Sequence, residues 1–263
     1  MLPSNRQLSL KWLHGLLHRL RQDQSVLQEY NHIQTQLKEG IVQRIKDAKD
    51  MTGVSKVHYL LHHAVVRRDK QTTKLRIVFD ALAKCDGPSL SECLYTWPKF
   101  DLSILDILLR FRTHQVALTA DIEKAFLMVS ISEQDCDILR FLWVDDIKND
   151  PPEACSFRFT RVVFGVSSSP FLLNATIQHH LEEHKLAFLN TVKILSQSTY
   201  MDDIASGAGT EEDAYLLYKE SEDLLKQGGF NLRKFVTNSY QLQEKIDGSE
   251  TENEPQLTLN QDG

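Results

Sequence analysis

Apolar positions recur at helical spacing from the start of the chain. Leu10, Leu13, Leu16, Leu17 and Leu20 predict a helix over Leu8 to Arg21, with Arg19 and Arg21 in its last turn. Val26, Leu27, Tyr30, Ile33, Leu37, Ile41 and Ile45 predict a second over Ser25 to Ile45, weakened at Gly40. The period then shortens. Val57 to Arg68 and Lys74 to Phe79 read as two strands of a hairpin around the polar stretch Asp69 to Thr73. Ala81 to Pro98 is irregular, with a turn at Gly87-Pro88. Asp101 can cap a helix over Leu102 to Arg112, whose Ile104, Leu105, Leu108 and Leu109 make one apolar face. Val116, Leu118 and Ala120 alternate with Ala117, Thr119 and Asp121, so Gln115 to Ile122 reads as a strand. Glu123 to Val129 fits turn and helix equally.

Leu139 to Val144 and Phe157 to Phe164 read as a further antiparallel pair around Asp145 to Cys155. Ser167-Ser168-Ser169-Pro170 has the form of a helix start, and Phe171 to Leu186 continues it. Val192 to Leu195 with Ser198-Thr199, and then Ile204-Ala205-Ser206, flank Tyr200-Met201-Asp202-Asp203; the pattern predicts a hairpin with these four residues at its tip. Glu211 to Lys226 reads as helix, Gly228-Gly229 as its stop, and Phe230 to Val236 as a last strand. Gln243 to Gly263 is polar, acidic and without aromatics, which predicts a disordered tail.

Composition adds a boundary and an asymmetry. At 263 residues, 41% hydrophobic and 25% charged, the chain has the make-up of a globular protein with a sizeable core. No run approaches the ~20 apolar residues of a membrane span. Met1 to Gln22 has neither the apolar core nor the cleavage site of a signal peptide. Net charge is −6, but residues 1–84 carry 15 Lys and Arg against 7 Asp and Glu, and the remainder 15 against 29. That distribution suits a protein that holds a phosphate backbone at one end and metal ions at the other. Cys85, Cys93, Cys136 and Cys155 form no C-x-x-C and read as reduced thiols.

Two clusters carry candidate chemistry. Asp202 and Asp203 repel each other at a hairpin tip, where folding asks for neither; divalent cations would neutralise them, because hard cations take oxygen ligands. Arg67, Arg68, Lys70, Lys74 and Arg76 crowd the first hairpin's tip, more cations than a solvated turn needs, and Arg forks match phosphate oxygens. Three decoys are weaker. Asp145-Asp146 lies among Lys148, Asn149, Asp150, Pro151 and Pro152 and reads as a solvated loop. His180-Leu181-Glu182-Glu183-His184 fits H-x-x-E-H, an inverted zinc-peptidase helix, but a zinc site also needs a downstream Glu and partners that orient its ligands, and the match is a short one. His62-His63 reads as strand surface.

From Asp121 onward the order of elements resembles the palm of a reverse transcriptase. The blocks Leu118-Thr119-Ala120-Asp121-Ile122-Glu123-Lys124-Ala125-Phe126, Phe164-Gly165-Val166-Ser167-Ser168-Ser169-Pro170-Phe171, Tyr200-Met201-Asp202-Asp203 and Gly228-Gly229-Phe230-Asn231-Leu232-Arg233-Lys234 resemble that family's motifs A to D. With His62-His63-Ala64-Val65 and Lys74 to Asp80 upstream, their wording is similar to the BEL/Pao long-terminal-repeat retrotransposons, over roughly residues 1 to 240.

The resemblance implies an α+β fold of fingers and palm, the antiparallel palm sheet backed by helices. Its expected layout is a helical region over 1–54, a fingers-like hairpin and connecting helix over 55–114, a palm over 115–242 and the tail over 243–263, with no thumb. It implies an RNA-directed DNA polymerase, part of a Pol polyprotein. Two Mg²⁺ ions, or Mn²⁺ in their place, would sit about 3.5–4 Å apart on Asp121, Asp202 and Asp203. Arg67 and Arg76 match positions that grip the triphosphate, and Ile122, Phe126, Phe164, Gly165 and Met201 fall in the nucleotide site. Lys234, or Arg233 beside it, would give a proton to pyrophosphate. Phe164 stands where retroviral enzymes have Gln. Expected partners are a primed RNA or DNA template, deoxynucleoside triphosphates, and the polyprotein's thumb, ribonuclease H and integrase. The expected setting is a cytoplasmic virus-like particle or the nucleus, without secretion or a membrane. The alternatives are an element relic that binds nucleic acid without polymerising, and, remotely, the zinc peptidase of His180 and His184.

Overall fold

The computed structural model describes residues 5–45, 57–66, 75–95, 103–147, 149 and 153–253. The chain forms two compact units. One comprises residues 1–98 and 126–173, the other 99–125 and 174–263. The chain therefore changes unit at 98/99, 125/126 and 173/174.

The first unit opens with helices α1 (Arg6–Leu20), α2 (Gln24–Tyr30) and α3 (Ile33–Lys38). The single helix expected over Ser25 to Ile45 is thus two short ones and a strand. Asp23 caps α2 by accepting from the backbone amides of Ser25 and Val26, and the chain stops being helical at Gly40, whose φ of +69° favours glycine. Ile41 and Val42 then turn inward with strand β1 (Val42–Ile45). Strands β2 (Leu61–Val66) and β3 (Leu75–Asp80) form the expected antiparallel hairpin, with Val65 opposite Arg76; its tip, with Arg67, Arg68, Lys70 and Lys74, lies outside the described residues. A one-turn helix α4 (Leu90–Cys93) follows, closed by a Ser89–Glu92 capping box.

Helix α5 (Ile104–Phe111) and strand β4 (Val116–Ile122) belong to the second unit. The first resumes after the start of α6 (Ala125–Met128), with a 3₁₀ segment over Glu133–Leu139 and strands β5 (Arg140–Val144) and β6 (Ala154–Phe159), which make a sheet in the order β1-β6-β5. Its core joins Leu13, Leu16, Leu17 and Leu20 of α1 to Tyr30, Phe79, Phe141, Trp143, Phe157 and Phe159. His62 is buried among them, 3% exposed, and not on the strand surface expected of it. A backbone carbonyl can only accept, so the His62 Nε2–H donates to the Leu142 carbonyl at 2.8 Å. The Tyr30 hydroxyl then donates to Nδ1 at 2.6 Å.

Helix α7 (Ser169–Glu183) carries the chain into the second unit. There α8 (Leu189–Ser198) replaces the strand expected from Val192 to Leu195. Thr191, Val192, Leu195 and Ser198 are buried at helical spacing, and that stripe outweighs the β-propensity of the branched residues. Strands β7 (Thr199–Tyr200) and β8 (Asp203–Ala208), helix α9 (Glu211–Gln227) and strand β9 (Leu232–Thr237) complete a sheet in the order β7-β8-β4-β9. Thr210 caps α9, and Glu211, Glu212 and Asp213 in its first turn suit the helix dipole.

Two further expectations change. Asp101 lies outside the described residues, and α5 leaves Ile104, Leu105, Leu108 and Leu109 exposed while burying Ile107. Helix α10 (Tyr240–Asn253) occupies half of the stretch expected to be disordered; Ile246 is buried there, beside Leu242 just before the stretch, and a composition average over 21 polar-rich residues conceals one such anchor. No described helix is long and apolar enough to cross a membrane.

Candidate active site

Burial along β4 alternates: Val116, Leu118, Ala120 and Ile122 face the core, so Asp121 falls on the open face. In the β4–β8 register Asp121 stands directly opposite Asp203. Such cross-strand neighbours hold their Cβ atoms roughly 4.5–5.5 Å apart, and like charges there repel. The amide of Ile122 donates to the Asp202 carbonyl at 2.7 Å and ties the hairpin tip to the end of β4.

Tyr200 pairs with Asp203, which leaves Met201 and Asp202 as a two-residue loop. Met201 has φ +54°. A positive φ at the first loop position suits the right-handed twist of a hairpin but normally calls for glycine. Holding a methionine there costs about 1–3 kcal/mol, a strain typical of functional sites. Burial, with the charges of Asp202 and Asp121, pushes the Asp203 carboxyl above the usual carboxylate range, while Lys234 pulls the other way.

The fourth strand supplies the counter-charges. Thr119 faces Val236 and Asp121 faces Arg233, so Ala120 stands opposite both Lys234 and Phe235, a β-bulge. Lys234 takes the left-handed conformation, φ +55°. In a regular strand Arg233 and Lys234 would point to opposite faces. Through the bulge both reach the same atom: Asp121 Oδ2 accepts from Arg233 Nε at 3.0 Å and from Lys234 Nζ at 3.4 Å. Arg233 Nη1 also donates to Glu123 Oε1 at 2.8 Å, and Asn231 Nδ2 to Glu123 Oε2 at 3.0 Å.

The other singled-out residues fall as follows. The side chain of Ile122 is 1% exposed and its amide is already bonded, so neither is open to a nucleotide. In the first unit Phe126 is buried, its ring edge-on to the exposed Phe164 at 5.5 Å. Gly165 has φ +97°, and a Cβ there would lie 2.9 Å from the Phe79 carbonyl. The glycine thus has an intramolecular reason, the approach of β3, beside the nucleotide contact expected of it. Arg76 is exposed on β3, and Arg67 lies outside the described residues. His180 bonds through Nε2 to the Leu224 carbonyl at 2.7 Å, and His184 through Nδ1 to the His180 carbonyl at 2.9 Å; among the described residues no group of three His, Cys, Asp or Glu gathers there to hold zinc. Asp145 pairs with Arg44 at 2.9 Å, an ordinary surface ion pair.

Residues 68–237 match the family "Reverse transcriptase (RNA-dependent DNA polymerase)". The chain belongs to the reverse transcriptase family. Among solved structures, the foamy viral protease-reverse transcriptase in complex with an RNA/DNA hybrid is 18% identical, with a TM-score of 0.58 over 79% of this chain and 23% of that one. The native prototype foamy virus protease-reverse transcriptase is 16% identical, with a TM-score of 0.54 over 76% and 22%. At that identity the likeness is one of fold: an α+β architecture with antiparallel sheets. The chain spans less than a quarter of the length of these proteins. No curated protein matches it.

The donor set of this reverse-transcriptase chain suits divalent metal ions. Asp121, Asp202 and Asp203 offer hard carboxylate oxygens, and Asp203, raised by burial and then by the charges of Asp202 and Asp121, is a carboxylate whose ionised form a cation would favour. The set is not drawn together: among the described residues no three His, Cys, Asp or Glu side chains converge as metal ligands. Asp121 is turned instead to Arg233 and Lys234. Sequence reasoning missed Glu123 and Asn231, because their part depends on the β4–β9 register and its bulge, which no local pattern announces.

Proposed function

We propose that the chain is the reverse-transcriptase part of a BEL/Pao-type retrotransposon polyprotein, copying a primed template from deoxynucleoside triphosphates by two-metal nucleotidyl transfer. The observation that carries this reading is Asp121 opposite Asp203, with Asp202 at the tip of the adjoining hairpin, within a chain of this family. The BEL/Pao affiliation rests on the wording of the motif blocks. The second unit corresponds to most of the palm and the β2–β3 hairpin to the fingers.

When bound, two Mg²⁺ ions would activate the primer hydroxyl and neutralise charge on the leaving pyrophosphate. Asp121, Asp202 and Asp203 would hold them. Arg76 and Arg67 grip the triphosphate as forked donors. Met201, fixed by its strained turn, lies beside the primer terminus. Lys234 gives the proton to pyrophosphate; Arg233 is less suited, since a guanidinium does not give up its proton in proteins. Phe126 excludes a ribose 2′-hydroxyl by bulk. The thumb, ribonuclease H and integrase belong to the rest of the polyprotein, and the setting is a cytoplasmic virus-like particle or the nucleus.

Primer extension by the full chain tests the reading. Incorporation should require Mg²⁺ and vanish in Asp202→Asn with the melting temperature preserved. Normal extension by Asp202→Asn, with loss in Asp145→Asn, would place the metals on the wrong pair.

A further inference from the structure

We propose that Glu123 is a positioning residue that acts through Arg233: it draws the guanidinium partly off Asp121 and so governs how readily that carboxylate turns to a divalent cation. The inference rests on the reading of Asp121 as a metal-bearing residue and concerns the chain's own groups.

Glu123 lies two residues beyond Asp121, yet both of its oxygens are committed away from the carboxylate cluster. Oε1 accepts from Arg233 Nη1 at 2.8 Å and Oε2 from Asn231 Nδ2 at 3.0 Å. Its backbone amide donates to the Asn231 carbonyl at 2.8 Å, so the two residues are latched by main chain and side chain together. Arg233 is divided, Nε on Asp121 and Nη1 on Glu123. Lys234 shares the same Asp121 oxygen from a more exposed position, its side chain 56% accessible against 42% for Arg233.

A cation arriving at Asp121 Oδ2 therefore competes with two resident donors. Lys234 is a flexible point charge on one long contact and yields easily. Arg233 is the stiffer competitor. A guanidinium presented with one carboxylate grips it with two parallel bonds; presented with two carboxylates at fixed spacing, it gives each a single bond. Glu123 imposes the second arrangement. Without it, the fork is free to close on Asp121 and the metal meets a stronger rival.

Mere charge predicts part of the same behaviour, since removing any nearby anion weakens cation binding. The double variant separates the two. If Glu123 acts through Arg233, it has nothing to act on once the guanidinium is gone.

The experiment is a Mn²⁺ titration of the full chain, without nucleic acid, read by electron paramagnetic resonance, with thermal melts confirming folding. Arg233→Gln should bind Mn²⁺ about 1.5- to 5-fold more tightly and Glu123→Gln more weakly by a similar factor, the range for a half-exposed ion pair. Glu123→Gln/Arg233→Gln should match Arg233→Gln alone. Independent, multiplying effects in the double variant overturn the proposal, as does Arg233→Gln binding no more tightly than wild type. Should Glu123→Gln fail to fold, Arg233→Lys keeps the charge and loses the fork. It should then fall between wild type and Arg233→Gln, and an affinity at or below wild type overturns the proposal. Asp121→Asn tests the underlying reading separately: unchanged Mn²⁺ affinity there means that Asp121 bears no metal.

Discussion

His62 makes acid sensitivity of the first unit a quantitative expectation. Its ring is 3% exposed and lies within 6 Å of those of Tyr30, Phe79, Phe141 and Trp143. Burial, aided by the charge of His63 and opposed by the bond to Leu142, lowers its pKa from 6.5 to about 4. A depressed pKa on a base means that the folded protein favours the neutral ring. The associated stability is fully present above pH 6.5 and is lost as pH falls through about 4, because the unfolded chain takes up a proton that the folded one refuses. Each unit of that window corresponds to ~1.4 kcal/mol, so the whole is worth about 3 kcal/mol, a large share of a typical domain's stability.

The perturbation is His62→Gln, which removes the titrating ring and keeps an amide donor for the Leu142 carbonyl. The variant should be about 1–3 kcal/mol less stable at pH 7.5, since the buried Tyr30 hydroxyl loses its acceptor. Urea denaturation followed by circular dichroism from pH 7.5 to 4 gives both stability curves. Other acid-sensitive groups, including His58, whose pKa burial also lowers to about 4, are common to both proteins and cancel in the difference. The difference should therefore move by about 3 kcal/mol in the variant's favour across the series, closing the gap or, where it starts smaller, reversing it. Parallel curves would mean that His62 titrates alike in the folded and unfolded states, and would refute a buried neutral ring.

Asp203→Asn should raise the melting temperature of the metal-free chain at neutral pH, because burial and its two neighbours make the ionised Asp203 unfavourable. The sign is that of a raised folded-state pKa: the wild type has no deficit below the unfolded value and acquires it as pH rises, so a gain that is equal at pH 3 and pH 7 would contradict it. Phe126→Val should leave deoxynucleotide incorporation largely intact and raise ribonucleotide incorporation about 5- to 150-fold, if ring bulk costs a 2′-hydroxyl ~1–3 kcal/mol; equal losses of both with a lower melting temperature would make Phe126 a core residue only. Deleting residues 1 to 22 would remove Leu13, Leu16, Leu17 and Leu20 from the core, so template binding is better tested at the exposed Arg6 and Lys11. If each contacts a phosphate, its change to Gln flattens the log–log salt dependence of binding by about 0.9, and an unchanged slope excludes the contact.

What the sequence made legible is whatever a local pattern encodes. The alternation that ends at Asp121 and the tight polar break at Met201-Asp202 each need only a few residues to be recognised, and both appear in the structure as β4 and the β7–β8 turn. Where two signals compete over the same residues, the local reading fails. Val192 to Leu195 is β-branched enough for a strand, yet its buried stripe with Thr191 and Ser198 makes it α8. Ile246 alone does not stand out from a polar tail, yet with Leu242 just before that tail it buries one face of α10. The counter-charges of the site lie further out of reach. Arg233 and Lys234 are adjacent in a strand, and alternation alone would send one of them away from Asp121. Only the extra residue opposite Ala120, with Lys234 in the left-handed conformation, brings both to one oxygen. A left-handed lysine is unfavourable by itself, and the ion pair it gains is exposed and so weak. The bulge is therefore better explained by what it does for Asp121 than by what it adds to stability.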